Sequence, residues 1–226
     1  MGEAIGELLP LAVGVAISPI PVIAVILMLL APRARASGLG FLIGWVAGIV
    51  IATTVLIVIA NAVGMTASSG EPKTPVSWIK LLLGVLMLTL AAKQWTTRPV
   101  QGEAAELPGW MKAIDKLTPA RAASLGALLS AVNPKNLMMC AAAGIAIAQG
   151  EMGAGGETVA VAVFTVIAAS SVAVPVAVYL TNAERMRGPL NTLKAWLEHN
   201  NATVMFVLLL VIGTVLLGKG LSGLIN

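Results

Sequence analysis

Apolar residues in this chain come in long blocks, not in the alternation of a half-buried strand or the narrow stripe of a surface helix. Six blocks, at 8–30, 38–61, 76–95, 122–148, 158–180 and 202–218, reach the roughly 17 or more residues a helix needs to cross a hydrocarbon core. The third is the least regular, because Lys80 and Lys93 fall inside it. Both can snorkel to the headgroups, and Trp78 and Trp95 bracket the block as interfacial anchors. The expected fold class is all-α integral membrane, with six transmembrane helices.

Two blocks are interrupted near their centres, the first by Ser18-Pro19-Ile20-Pro21 and the fourth by Asn133-Pro134-Lys135-Asn136. A proline lacks the helical donor and disfavours helical geometry in the residue before it, so the first and fourth helices are expected to be broken. Each helix restarting at a break offers unpaired N–H groups and a positive dipole end. Ser18 and Asn133 stand where side-chain oxygens cap such an end. Between Ala122 and Gln149 the only charge is Lys135. A lysine at the bilayer centre costs about 2.5–3.5 kcal/mol, so Lys135 is expected to face a cavity between the two breaks. No span interior contains Asp or Glu. With no carboxylate to pair with Lys135, a Lys135→Met chain is expected to fold as well or better. Pro175 reads as a packing kink.

The second block of each half carries a central hydroxyl pair, Thr53-Thr54 and Ser170-Ser171. The third blocks share similar text, Leu83-Gly84-Val85-Leu86 and Ile212-Gly213-Thr214-Val215. A duplication fits these parallels, with residues 1–98 as a first three-helix repeat and 120–226 as a second. Between them, 99–119 forms a cytoplasmic linker with an amphipathic helix. An odd number of spans per half makes the repeat inverted, 3+3, with the first helices meeting around a pseudo-two-fold axis.

Orientation follows from Lys and Arg. Ten (Arg33, Arg35, Lys93, Arg98, Lys112, Lys116, Arg121, Arg185, Arg187, Lys194) fall on one side and three (Lys73, Lys80, Lys219) on the other. The richer side is expected to be cytoplasmic, which puts both termini outside. Two stretches on that side, 108–117 and 189–198, place a tryptophan among aliphatic residues on one helical face (Met111, Ile114 and Leu117 in the first, Leu190, Leu193 and Leu197 in the second) and are expected to be short interfacial helices.

Composition agrees: 58% of residues are hydrophobic and 11% charged, against roughly 25% charged in a soluble domain. The N-terminus carries Glu3 and Glu7, not a basic n-region, and the first block is too long for a signal sequence, so it is expected to remain as a span. The net charge of +4 does not point to nucleic acid, since the basic residues lie between spans. Cys140 stands alone, which leaves no disulfide framework or thiol metal site to expect. No P-loop, nucleophile–base pair or metal-ligand cluster is present, and His199 lies in a loop, so neither an enzyme nor a cofactor is expected.

The proline break at Ser18-Pro19-Ile20-Pro21, followed by Asn133-Pro134-Lys135, resembles the lysine-exporter (LysE) superfamily of six-span proteins. The text Pro108-Gly109-Trp110-Met111-Lys112-Ala113-Ile114-Asp115, leading into Ser130-Ala131-Val132-Asn133-Pro134-Lys135-Asn136-Leu137, with Trp196-Leu197 before the last span, is similar to one branch of it. That branch is the GAP family, which includes sulfolipid- and glycopeptidolipid-addressing proteins. The resemblance covers nearly the whole chain and implies export of a cell-envelope glycolipid across the inner membrane.

The function expected is therefore transport of an amphiphilic lipid with a polar or anionic head. Ser18, Pro19, Pro21, Asn133, Pro134, Lys135 and Asn136 are expected to bind the head, with Thr53, Thr54, Ser170 and Ser171 as further lining. Two alternatives stand beside it: a small-molecule exporter of amino acids or ions, and a non-transporting scaffold for envelope-lipid export. Bilayer lipids are expected partners, while homo-oligomers and contacts with lipid synthases or larger exporters stay open.

Overall fold

The structure is a computed structural model and describes residues 2–63, 74–96, 114, 117–150 and 152–225. Among the described residues eight helices run in order: α1 (Gly2–Ala16), α2 (Pro19–Leu30), α3 (Ala34–Ala62), α4 (Thr74–Thr96), α5 (Pro119–Ala131), α6 (Pro134–Gln149), α7 (Gly153–Thr181) and α8 (Ala183–Ile225). Four are long and apolar enough to cross a membrane: α3, most of α4, α7 and α8. The α1–α2 pair, bent by 52° at its break, makes a fifth if taken as one span. The expected fourth span is divided between α5 and α6. The outer faces of α3, α7 and α8 expose Ile43, Ile51, Val58, Val166, Val174 and Val211, an aliphatic surface suited to lipid. The chain is a multi-pass membrane protein.

Both breaks fall where proline chemistry puts them. Ser18 is extended, with φ −118° and ψ 98°, and Pro19 opens α2. Pro19 and Pro21 both lie in the first turn, where backbone N–H groups have no helical partner, so neither removes a bond that α2 would make. Asn133 is likewise extended, with φ −60° and ψ 122°, and Pro134 opens α6. The short, strongly apolar α2 is buried on nearly every side and sits among α3, α7 and α8.

The closest packing uses glycine. Gly40, Gly44 and Gly48 recur every fourth residue on α3 and face Pro119, Ala123 and Ala127 of α5 in the same order, so α3 and α5 run parallel. A Cβ on Gly44 would run into the Ala123 carbonyl. Further along, Gly144 of α6 meets Leu56 and Ile57, so α5 and α6 together follow α3 almost to its end. On α4 and α8, Ser77 meets Gly223, Leu81 meets Gly220 and Met87 meets Gly213, an antiparallel pair. Small residues at such spacing let backbones approach, which is how helices gain contact in lipid.

One expected element takes a different form. The stretch 189–198 is not a separate interfacial helix but part of α8, which continues through Pro189 for 43 residues. Leu190 and Leu197 are buried in the bundle, while Trp196 is exposed. Protein thus covers the Leu190–Leu197 side of the apolar face and leaves Leu193 and Trp196 exposed. The stretch 108–117 lies largely outside the described residues; of it, Ile114 and Leu117 pack on the core.

Candidate functional site: a lysine-closed junction beside an apolar cleft

Breaking a helix strands carbonyls. In an unbroken α1 the Gly14 carbonyl would accept from the Ser18 N–H, four residues on. At the break that N–H turns back to the Ala16 carbonyl instead, at 2.8 Å. Lys135, in the first turn of α6, supplies the missing donor. Its Nζ donates to Gly14 O at 2.7 Å, Ile17 O at 3.3 Å and Ser18 Oγ at 2.5 Å. An ammonium carries three protons, and all three have acceptors here. Lys135 is 3% exposed. Its charge lies at the negative, C-terminal end of α1, which the helix dipole favours. Through Ser18, the N-cap of α2, it also touches the start of the restarting helix, but it bonds to carbonyls and a hydroxyl and does not face an open cavity.

Asn136 serves the other break. Its Nδ2 donates to Leu129 O of α5 at 3.0 Å, and its Oδ1 accepts from Ser18 Oγ at 3.4 Å. A chain of donors thus runs from Lys135 through Ser18 to Asn136 and on to α5, joining the two breaks. Asn133 caps α6, its Oδ1 accepting from the Lys135 N–H at 3.0 Å. Ser18 makes no such cap on α2, because its hydroxyl is engaged by Lys135 and Asn136. Pro19 and Pro21 are buried behind the junction, and Pro134 is exposed on the outer face.

A cleft of about 420 Å3 lies on one side of this junction. Ser18, Pro19 and Val22 line it from the break, Ser170, Ser171, Val174 and Pro175 from α7, and Leu193 and Leu197 from α8. Ile17, Val174 and Leu193 on its rim are exposed, so it opens onto the apolar surface. Lys135 lies behind Ser18 and is not among the lining residues. The Ser171 hydroxyl is buried without a hydrogen-bond partner, while the Ser170 hydroxyl donates to Ile167 O at 2.7 Å.

The hydroxyl pair on α3 is placed otherwise. Thr53 is fully buried, its hydroxyl near the Cys140 thiol without a well-formed hydrogen bond. Thr54 is exposed on the outer face of α3. Neither lines the cleft. Among the described residues, no three His, Cys, Asp or Glu side chains gather as metal ligands would. Sequence reasoning missed the carbonyls of Gly14 and Ile17, which have no residue signature, and the cleft wall from α8.

A family profile described as Sap, sulfolipid-1-addressing protein, matches residues 8–222. The chain belongs to the Sap family. Both breaks, the Lys135 junction and the cleft lie inside the matched region, so they are features of the family segment and not of an appended extension. No curated protein and no solved structure matches the chain. Membership associates this membrane protein with sulfolipid addressing in the cell envelope.

Proposed function

We propose that this chain is a non-enzymatic transporter that carries an amphiphilic envelope lipid with a polar or anionic head toward the outer face of the inner membrane. The single observation that carries the reading is the cleft, apolar along most of its wall, polar at Ser18 and Ser171, and open at Ile17, Val174 and Leu193 to the lipid-facing surface. A small polar solute needs a polar cavity closed from lipid, whereas a lipid needs a sideways entrance for its chains. This argues against the amino-acid or ion exporter.

The architecture proposed is six spans in a 3+3 inverted repeat, within the wider LysE superfamily. Its support is the parallel between α1–α2 and α5–α6, each broken before a proline, and the packing of α1 along α7 as α5 packs along α3. The course of α5–α6 beside the full-length α3 supports a fourth crossing. Ser18, Ser170 and Ser171 are assigned as the polar wall that the head passes as the lipid moves through the cleft. Lys135 reaches the head only if its ammonium leaves α1.

That last point also favours a second reading. A lysine that satisfies stranded carbonyls is useful to a lipid-binding scaffold as much as to a carrier. The two readings part in purified protein reconstituted into vesicles: a carrier changes the leaflet of a sulfated glycolipid, and a scaffold binds it without moving it.

The cleft itself is tested by Ser171→Phe, which fills it from α7. Outer-leaflet glycolipid, measured by a leaflet-resolved assay in a knockout complemented with the variant, is expected to fall at least fivefold at equal protein level. Wild-type export by this variant removes the cleft from the transport path.

A further inference from the structure

At the end of the bundle where α2 gives way to α3, and α7 to α8, a second cavity of about 580 Å3 gathers Arg33, Arg35 and Arg187 around Tyr179, Leu30 and Pro32. None of the three arginines forms an ion pair with any described residue; the nearest carboxylate along α8, Glu184, is unpaired with them. The cavity also holds the start of α3. Arg33 stands at the N-cap without a side-chain cap, and although the Ala34 N–H turns back to the Ala31 carbonyl, the positive end of this 29-residue helix lies here. Three unneutralised guanidiniums and an uncapped helix end in one concavity have one complement, a compact anion with several acceptor oxygens. Arginine's planar fork matches a tetrahedral oxyanion in pairs of parallel hydrogen bonds.

The cavity and the apolar cleft share three walls. On α7, Pro175 lines the cleft and Tyr179 the cavity, about 6 Å apart at helical rise. On α8, Leu193 and Arg187 are about 9 Å apart, and on α2, Val22 and Leu30 about 12 Å. These are the dimensions of a lipid's interface, with a charged head and the start of its chains.

We infer that the cavity of Arg33, Arg35 and Arg187 binds the sulfate or phosphate ester head of an anionic lipid whose chains enter the adjoining cleft. This deepens the transport reading and rests on it for one point only, that the bound lipid is the one moved. By the orientation of the basic residues the cavity faces the cytoplasmic leaflet, so it is the position from which the lipid is loaded. Basic pockets between membrane helices on that side are suited to anionic heads.

The experiment is binding of fluorescent phosphatidic acid to the purified full chain in phosphatidylcholine nanodiscs. Arg187→Gln should weaken binding about tenfold, and the triple Arg33→Gln, Arg35→Gln, Arg187→Gln variant should abolish it. Lys194→Gln, which removes one charge from the same helix outside the cavity, should change it less than twofold. Arg187→Lys keeps the charge but not the fork, and several-fold weaker binding is expected from a built site. Equal binding by Arg187→Lys and wild type reduces the cavity to diffuse surface attraction and overturns the inference. So does inorganic phosphate or sulfate that binds as tightly as the lipid, which marks a free-anion site. These substitutions are on exposed side chains, and an unchanged Tm confirms folding. If the triple variant loses binding yet exports at the wild-type rate in the knockout, the site stands and its place on the transport path falls. If it binds normally, the site falls and the cleft remains to be judged by Ser171→Phe.

Discussion

At the scale of single residues, Lys135 reverses an expectation drawn from its neighbours in the chain. No span interior offers a carboxylate to pair with it, and that absence makes Lys135→Met look harmless. The ammonium is instead held by two backbone carbonyls and a hydroxyl. Removing it leaves buried acceptors unsatisfied, at a cost of about 1–3 kcal/mol. Lys135→Met is therefore expected to lower the apparent Tm of the detergent-purified protein by several degrees. A Tm equal to wild type would show that the Gly14 carbonyl needs no donor. The breaks before Pro19 and Pro134 were legible in the sequence because proline acts on its own backbone and its immediate neighbour. The acceptors of Lys135 were not, because Gly14 and Ile17 contribute main-chain oxygens that any residue possesses. The hydroxyl pairs were half legible. Ser170 and Ser171 line the cleft, but Thr53 points inward and Thr54 outward, since adjacent positions on a helix face directions about 100° apart.

At the scale of elements, the α3–α5 contact is the most sharply specified. Gly44→Ala adds a methyl where the Ala123 carbonyl already lies, and backbone cannot rotate aside as a side chain does. The helices must part, and overpacking of this kind costs about 1–3 kcal/mol. Gly218→Ala in α8 meets nothing within 4 Å and gains helix propensity. Thermal unfolding of the two variants should separate them, with Gly44→Ala clearly lower than wild type and Gly218→Ala equal or higher. Equal curves for both would mean that α3 and α5 do not meet at Gly44. The sequence places most of the helices well, because long apolar blocks have few other solutions in lipid. It mistakes the start of α8, because Leu190, Leu193, Trp196 and Leu197 make the same stripe whether headgroups or helices cover it.

For the whole molecule, the two ends differ in character. One gathers Arg33, Arg35 and Arg187, and the other carries the Lys219–Glu7 ion pair at 2.6 Å and the Lys80–Gln149 hydrogen bond at 3.1 Å. By the basic asymmetry the first is expected to face the cytoplasm. In a Cys140→Ala background, a cysteine at exposed position 36 should resist an impermeant thiol reagent in intact cells, and one at exposed position 221 should react. The opposite labelling would invert the protein. The lysine junction carries a consequence for how this molecule is made. Its donor lies 121 residues after the Gly14 carbonyl it satisfies. A ribosome adding about 5–20 residues per second takes about 6–24 s to cover that distance. For that interval the first broken helix sits in the membrane with a carbonyl that nothing in the nascent chain yet answers. The part of the chain made first is thus not a finished unit when it enters the membrane, and its junction closes only when the part made later arrives.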